Sequence, residues 1–109
     1  MISLIITYYN QTKMLEKQVK LWDSYNSTIK QNFKFIIIDD GSEKKAFDVV
    51  KNINTSNLDL SLYEIQEDIY CNIPGAMNLG SKVSDTEWLL HMDMDHTFQE
   101  KYLLYLLEL

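Results

Sequence analysis

The fold and the candidate site both depend on one run, Trp88-Leu89-Leu90-His91-Met92-Asp93-Met94-Asp95-His96. As a β-strand it would bury Trp88 to Met92 and place Asp93 and Asp95 beyond its carboxyl end, on the same side of the pleat. Open α/β sheets bind ligands at that edge. Two carboxylates that face one crevice suit a hard divalent cation, because its charge offsets their mutual repulsion. The run therefore predicts a buried strand that ends at a cation site, against the alternative of a solvated strand-to-loop junction.

Apolar runs and helical patterns alternate along the rest of the chain. Residues 2–6 and 33–38 are rich in β-branched side chains and predict strands that are buried on both faces, and residues 60–65 predict a third strand. Helices are predicted at 12–25, with Thr12 as N-cap, and at 43–53, 74–83 and 98–109, with a polar connector at 26–32 and a loop at 67–73. Thr97 and Glu100 have the spacing of a capping box before the last helix.

This order of elements predicts one α/β domain over residues 1–109, with three layers and a mostly parallel sheet. If the fourth strand lies on the far side of the first, the strand order is 3-2-1-4, and a crevice opens where the winding reverses. The residues expected to project into it are Thr7 and Tyr9 after strand one, Asp39 and Asp40 after strand two, and Asp93 and Asp95 after strand four.

Composition narrows the partners and the compartment. The formal charge of −6 argues against nucleic acid and anionic membranes, which both need basic patches, and it means that an anionic ligand would need a metal. The single cysteine, Cys71, cannot form an internal disulfide, which fits a reducing cytoplasm. No segment approaches the roughly 20 apolar residues of a membrane span.

The residues at the crevice suggest a nucleotide. An aromatic ring and a hydroxyl, from Tyr9 and Thr7, can stack on a flat heterocycle and hydrogen-bond to it. Asp40 can accept a hydrogen bond from a ring N–H, such as the imide of uracil. Asp93 and Asp95 would then meet a ribose and a metal-bound pyrophosphate, where the metal neutralises the anionic ligand.

Four motifs together resemble the donor-binding half of inverting family 2 glycosyltransferases of the GT-A fold, over nearly the whole chain and in the family's order. They are Ser3-Leu4-Ile5-Ile6-Thr7-Tyr8-Tyr9-Asn10, Ile36-Ile37-Ile38-Asp39-Asp40-Gly41-Ser42, Asn78-Leu79-Gly80 and the opening run as far as Asp95. The resemblance implies a metal-dependent enzyme that takes a sugar from a UDP-sugar, with UDP-glucose and UDP-galactose expected as common donors. The acceptor is not implied.

The resemblance also implies roles for individual residues. Thr7 and Tyr9 would contact the uracil, and Asp40 would hydrogen-bond it. Asp93 and Asp95 would form the Asp-x-Asp motif, with Asp95 as the direct ligand of Mn²⁺ or Mg²⁺ and Asp93 nearer the ribose or a metal-bound water.

Two departures from the family pattern matter. Met77 stands where the family often has a basic residue before the position of Asn78, so diphosphate contacts would come from Lys82, a backbone N–H or the metal. The chain ends soon after Asp95, whereas family members continue with segments that hold an acceptor and a base, so a minimal or truncated member is expected. His96 is a candidate base or extra metal ligand, against the alternative of a surface loop histidine.

Other functions fit less of the sequence. A nucleotide-sugar-binding module without turnover, or a fragment of a larger assembly, would use the same residues, and slow hydrolysis of the donor is a further outcome. A haloacid-dehalogenase-like phosphatase would need its acidic motif after the first strand, and a response-regulator receiver would need an acceptor aspartate after the third. The apolar last helix is expected either to cover the sheet or to form a homo-oligomer interface.

Overall fold

A four-stranded sheet forms the centre of the molecule. In the computed structural model, which describes residues 1–68 and 72–109, the strands are β1 (Ile2–Tyr8), β2 (Phe33–Asp39), β3 (Leu60–Glu64) and β4 (Trp88–Met92). Neighbouring strands are parallel, and their order is β3-β2-β1-β4. The parallel sheet and the order 3-2-1-4 are therefore confirmed, and the winding reverses between β1 and β4.

Helices cover both faces of the sheet, which confirms the three-layer α/β architecture. They are α1 (Thr12–Ser24), α2 (Ser27–Asn32), α3 (Ala46–Val50), α4 (Ile73–Val83) and α5 (Glu100–Glu108). The larger core lies on the face covered by α1, α2, α3 and α5, where the rings of Trp22 and Phe35 stack with centroids 4.8 Å apart. On the other face, α4 packs Ala76 against Ile5, Ile36 and Ile38.

Two predicted segments differ from the structure. The polar connector at 26–32 contains helix α2, because the Asn26 side chain accepts a hydrogen bond from the N–H of Ile29 (3.1 Å) and Ile29 is buried. Helix α3 is much shorter than predicted. The buried Asp39 carboxylate accepts hydrogen bonds from the N–H groups of Ser42 (3.0 Å) and Ala46 (2.8 Å), which hold the preceding residues in a turn.

The predicted helix caps were wrong in both cases. Thr12 lies inside α1, whose N-cap is Gln11, and α5 has Gln99 as its N-cap, without a side-chain capping bond at either position. Glu100 accepts a hydrogen bond from the N–H of Asn26 (3.0 Å) instead of closing a capping box with Thr97. A tertiary contact with Asn26, the N-cap of α2, therefore fixes the start of α5.

The burial predicted for β4 was also wrong in part. Trp88 is 63% exposed and Leu89 is 41% exposed, although Met92 at the carboxyl end is buried. Within residues 1–68 and 72–109, β4 is an edge strand that pairs with β1 alone, so its first residues lack the cover that a central strand has.

Some predictions fall outside the described residues. Cys71 and the middle of the loop predicted at 67–73 lie outside the described residues. Among the helices that the structure does describe, none has the length and apolar character needed to cross a membrane.

Candidate functional site

An open cleft of about 400 Å³ lies at the carboxyl edge of the sheet, where the winding reverses. Five of the six residues that the sequence predicts to project into it line it: Thr7, Tyr9, Asp40, Asp93 and Asp95. They come from the ends of three different strands, which the topology brings to one edge. The prediction was wrong for Asp39, which is buried and lines neither this cleft nor the smaller cleft beside it. The cleft lies where a doubly wound sheet binds its ligand.

The end of β1 supplies a hydroxyl and an aromatic ring. Thr7 is half-buried in register with Ile38 of β2, and Tyr9 follows the strand with 44% of its surface exposed. The Tyr9 hydroxyl donates a hydrogen bond to Asp68 Oδ2 (2.6 Å), and this bond raises the pKa of that hydroxyl. The ring is therefore tethered at one end while much of it remains accessible to a planar ligand.

The end of β2 supplies a carboxylate that is held in place. Asp40 is 7% exposed, its N–H donates to the carbonyl of Tyr8 (2.9 Å), and its Oδ1 accepts from Asn72 Nδ2 (3.2 Å). Gly41 follows with φ of +70°, and a Cβ there would lie 2.4 Å from the carbonyl oxygen of Glu67. Glycine thus permits the close approach of the segment that carries Asp68.

The turn after β4 carries a compact group of metal-binding side chains. Asp93, Asp95 and His96 each offer a ligand atom, and these atoms lie within 4.8 Å of one another. The N–H of His96 donates to the carbonyl of Asp93 (3.1 Å), so the two aspartates lie in a turn and do not extend the strand. All three side chains are exposed, whereas Met94 between the aspartates is buried.

This donor set fits the divalent cation that the sequence predicts. Carboxylate oxygens suit Mg²⁺ and Mn²⁺, and an imidazole nitrogen adds a ligand that transition metals accept readily. The exposure of the three side chains leaves room for ligands from solvent or from a phosphate.

A smaller cleft of about 170 Å³ adjoins the first, and Thr7, Ile73 and Asp93 line both. Met77 and His96 line the smaller cleft, so Met77 lies on the side of the acidic turn (Asp93–His96). Asn78 and Lys82 are exposed on α4, and neither lines either cleft.

Sequence reasoning missed several residues of the site. Gln11, Met14, Ile73 and Met94 also line the larger cleft. Asp68 and Asn72, which hold Tyr9 and Asp40, are far from their partners in the sequence. Only tertiary structure brings Asp68 and Asn72 to their partners, so no local pattern could have revealed these two residues.

Comparisons with known proteins bear on the family and on the fold. The sequence profile of the family described as "Glycosyltransferase like family 2" matches residues 3–108. No curated protein matches the chain by sequence. A crystal structure of S. aureus TarS 1-349 superposes with a TM-score of 0.81 at 19% identity, over 98% of this chain and 31% of that one.

Two TarS structures with bound ligands are also similar. The complex with UDP-GlcNAc has a TM-score of 0.77 at 19% identity, over 98% of this chain and 30% of that one. The complex with UDP has a TM-score of 0.72 at 21% identity, over 98% and 31%. At such identities the likeness shows the fold alone, and the chain spans less than a third of the length of these proteins.

Proposed function

Because the chain belongs to glycosyltransferase-like family 2, we propose that its cleft binds a UDP-sugar and a divalent cation for transfer of the sugar. The observation that carries the proposal is the convergence of Thr7, Tyr9 and Asp40 with the carboxylates of Asp93 and Asp95 in one cleft. At one end of the cleft, Tyr9 and Asp40 would contact the uracil ring. At the other end, Asp93 and Asp95 would face the metal-bound diphosphate.

The nucleotide end depends on three side chains, of which Tyr9 and Asp40 are held by hydrogen bonds. Tyr9 stacks on the uracil and Thr7 offers its hydroxyl to the ring, while Asp40 accepts the imide N–H. Because Asn72 already occupies one oxygen of Asp40, the carboxylate is oriented before the nucleotide arrives. Preorganisation of this kind lowers the entropic cost of binding.

The diphosphate end depends on the acidic turn. Asp95 is the proposed direct ligand, and Asp93 would lie nearer the ribose or a metal-bound water. The His96 ring lies in the same cluster and would add a further ligand. A nitrogen ligand favours Mn²⁺ over Mg²⁺. When bound, the cation neutralises the diphosphate and acts as a Lewis acid for the departing UDP.

The donor sugar and the acceptor are finer parts of the proposal. TarS has been crystallised with UDP-GlcNAc, so this donor is tested first, followed by UDP-glucose and UDP-galactose. With the acceptor unknown, water serves in its place, and the inverting mechanism is read from the anomer of the released sugar. His96 is the alternative base for that step if it does not bind the metal.

Release of UDP from each sugar nucleotide, with and without Mn²⁺, tests turnover. The wild type is expected to release UDP only with metal, and Asp95→Asn is expected to lose this activity. Asp85→Asn is the matched control. Asp85 precedes β4 and forms an ion pair with Lys34 (2.7 Å) at the amino ends of the strands, away from the cleft. Equal release by Asp95→Asn and the wild type would contradict the assignment of the metal site.

Binding without turnover is the second candidate. Apart from His96 in its alternative role as a base, the residues that we assign in the described part of the chain act on the nucleotide or the metal, and none of them binds an acceptor. Metal-dependent UDP binding without release of sugar from any donor would favour this candidate over the transferase.

A further inference from the structure

The acidic turn rests on a side chain of α1. Gln18 is 2% exposed, and its Nε2 donates a hydrogen bond to the carbonyl of Met94 (2.9 Å) and another to the carbonyl of His96. These two carbonyls flank Asp95 in the chain. One amide group therefore holds the backbone on both sides of the proposed metal ligand.

Gln18 interrupts the apolar face of its own helix. The other buried residues of α1 are Leu15, Val19 and Trp22, so a hydrophobic residue would suit this position by packing alone. A buried amide costs free energy unless it is hydrogen-bonded, and here both bonds go to the acidic turn. The polar residue thus has its partners at the site and not within α1.

The orientation of the amide is determined by its contacts. Gln18 Oε1 is buried and has no hydrogen-bond partner among the described residues, whereas Nε2 has two acceptors. Reversing the amide would place an oxygen against two carbonyl oxygens. Gln18 therefore acts as a double donor, and only a side chain with two N–H groups at this reach can replace it.

The side chains proposed to bind the metal are mostly exposed and are not held in place by packing. Asp93 and His96 are 78% and 67% exposed, and their facing side-chain atoms are 3.7 Å apart. The spacing of the carboxylates thus depends on the backbone of the turn, which buried Met94 and Gln18 hold from below. Residues that orient metal ligands in this way strongly affect metal affinity.

We propose that Gln18 is a positioning residue, which sets the backbone of the Asp93–Asp95 turn for a divalent cation. The inference rests on the proposed function, because it concerns the cation assigned there to Asp93 and Asp95. It adds a residue that touches neither the nucleotide nor the metal and lies far from both aspartates in the sequence.

Mn²⁺ binding in the presence of UDP, measured by electron paramagnetic resonance, tests the proposal. Gln18→Met keeps the length of the side chain but removes both donors, and it is expected to weaken Mn²⁺ binding by roughly 10–100-fold. UDP binding without metal is expected to stay at the wild-type level, since Thr7, Tyr9 and Asp40 are untouched. Amide hydrogen exchange in the turn is expected to become faster.

Tyr25→Phe is the matched control. The Tyr25 hydroxyl donates to the carbonyl of Phe98 (2.6 Å), so this variant also removes a buried contact between the end of α1 and the segment after β4. Its stability is expected to fall, but its Mn²⁺ affinity is expected to match the wild type. If Gln18→Met does not fold, Gln18→Asn decides, because its shorter amide cannot reach both carbonyls.

The outcomes separate the inference from the proposed function. A wild type that binds no Mn²⁺ overturns the proposed metal site and the role of Gln18 with it. A wild type that binds Mn²⁺, with unchanged affinity in the folded Gln18 variant, overturns the inference alone. Equal loss of affinity in Tyr25→Phe also overturns it, because general loosening of the segment would then explain the effect.

Discussion

Asp39 and Asp40 are adjacent at the end of β2 but serve different parts of the molecule. Asp39 is buried and accepts hydrogen bonds from the N–H groups of Ser42 and Ala46. Asp40 lines the cleft and accepts one bond, from Asn72. The alternation of a strand explains the difference, because successive side chains point to opposite faces.

We expect the two alanine variants to separate stability from binding. Asp39→Ala loses two charge-assisted bonds, each worth about 1.5–3 kcal/mol, so its free energy of unfolding falls more than that of Asp40→Ala. Asp40→Ala instead loses affinity for UDP. Urea denaturation and calorimetric titration measure the two quantities, and similar losses of stability in both variants would contradict the division of roles.

The Tyr25 hydroxyl predicts a dependence of stability on pH. Burial, with a smaller effect of Glu100, raises its pKa from 10.0 to about 12. Below the ordinary value the hydroxyl is protonated in the folded and unfolded chains, and its contribution is complete. As the pH rises further the unfolded chain ionises first, so this contribution is lost as the pH approaches the folded pKa.

We therefore expect the stability difference between the wild type and Tyr25→Phe to narrow as the pH rises from 9 to about 11.5. Urea denaturation at several pH values measures it. Tyr105→Phe, at an exposed tyrosine, is the control. A difference that stays constant or grows would show that the Tyr25 hydroxyl does not titrate as its burial requires.

At the residue scale, sequence identified the carboxylates and not their supports. Asp40, Asp93 and Asp95 end apolar strands, and such endings are visible in a linear pattern. The sequence contains one sign of the role of Gln18, which is a polar residue on the apolar face of a helix. Its partners lie beyond residue 90, so the reason for that signal required the structure.

At the scale of elements, the packing of α4 on the sheet depends on Gly80. A Cβ at this position would lie 2.5 Å from Ile5 Cγ2, on the central strand β1. The helix therefore approaches β1 more closely than a larger residue would allow, and this approach carries Ile73 and Met77 of the same helix to the two clefts.

Gly80→Ala is expected to lower the free energy of unfolding by about 1–3 kcal/mol through overpacking, despite the better helix propensity of alanine. Chemical denaturation measures the change, and Lys82→Ala, at an exposed position of α4, is the control. A stabilised Gly80→Ala variant would show that α4 can move away from Ile5 at little cost.

Sequence located the strands better than the helices. The apolar runs of β1 and β2 were found within two residues at their ends, because burial on both faces leaves a continuous pattern. Helix α2 was missed and the helix predicted at 43–53 was too long, because side chains of Asn26 and Asp39 determine where α2 and α3 begin. The Thr97 cap failed because Glu100 binds a distant N–H instead.

At the scale of the whole molecule, one surface remains open beside β4. Leu90 of β4 and Tyr102 and Tyr105 of α5 line a groove of about 610 Å³, and Trp88 is exposed on the same strand. An edge strand beside exposed aromatic side chains favours association. The homo-oligomer predicted from the sequence of α5 stays a prediction.

We expect the protein to self-associate reversibly and Tyr102→Lys to shift it toward the monomer, because the added charge would be desolvated in the contact. Sedimentation velocity over a range of concentrations measures this. Tyr63→Lys, on the opposite edge strand β3, is the control. A wild type that stays monomeric, or equal effects of both variants, would contradict a contact through α5.

The alternation of elements predicted a mostly parallel sheet with right-handed crossovers. The order 3-2-1-4, and hence the place of the cleft, depended on the further condition that the fourth strand lies on the far side of the first, which the structure confirms. The exposure of Trp88 and Leu89 could not be predicted from the sequence of β4. A strand's neighbours, and not its own sequence, decide whether its apolar residues are covered. The sequence likewise placed Asp93 and Asp95 at the carboxyl edge of the sheet. It did not show that they lie in a turn, because tertiary contacts hold that turn.

The thermal unfolding midpoint with UDP, with and without Mn²⁺, tests the central claim most directly. A ligand that binds only the folded chain stabilises it by about 2.7 kcal/mol at 100 times its Kd. UDP is expected to raise the midpoint of the wild type and of Asp85→Asn mainly when Mn²⁺ is present, and Asp95→Asn is expected to lose the metal-dependent part. No shift in the wild type, or an equal shift in Asp95→Asn, would contradict a metal-dependent UDP site in this cleft.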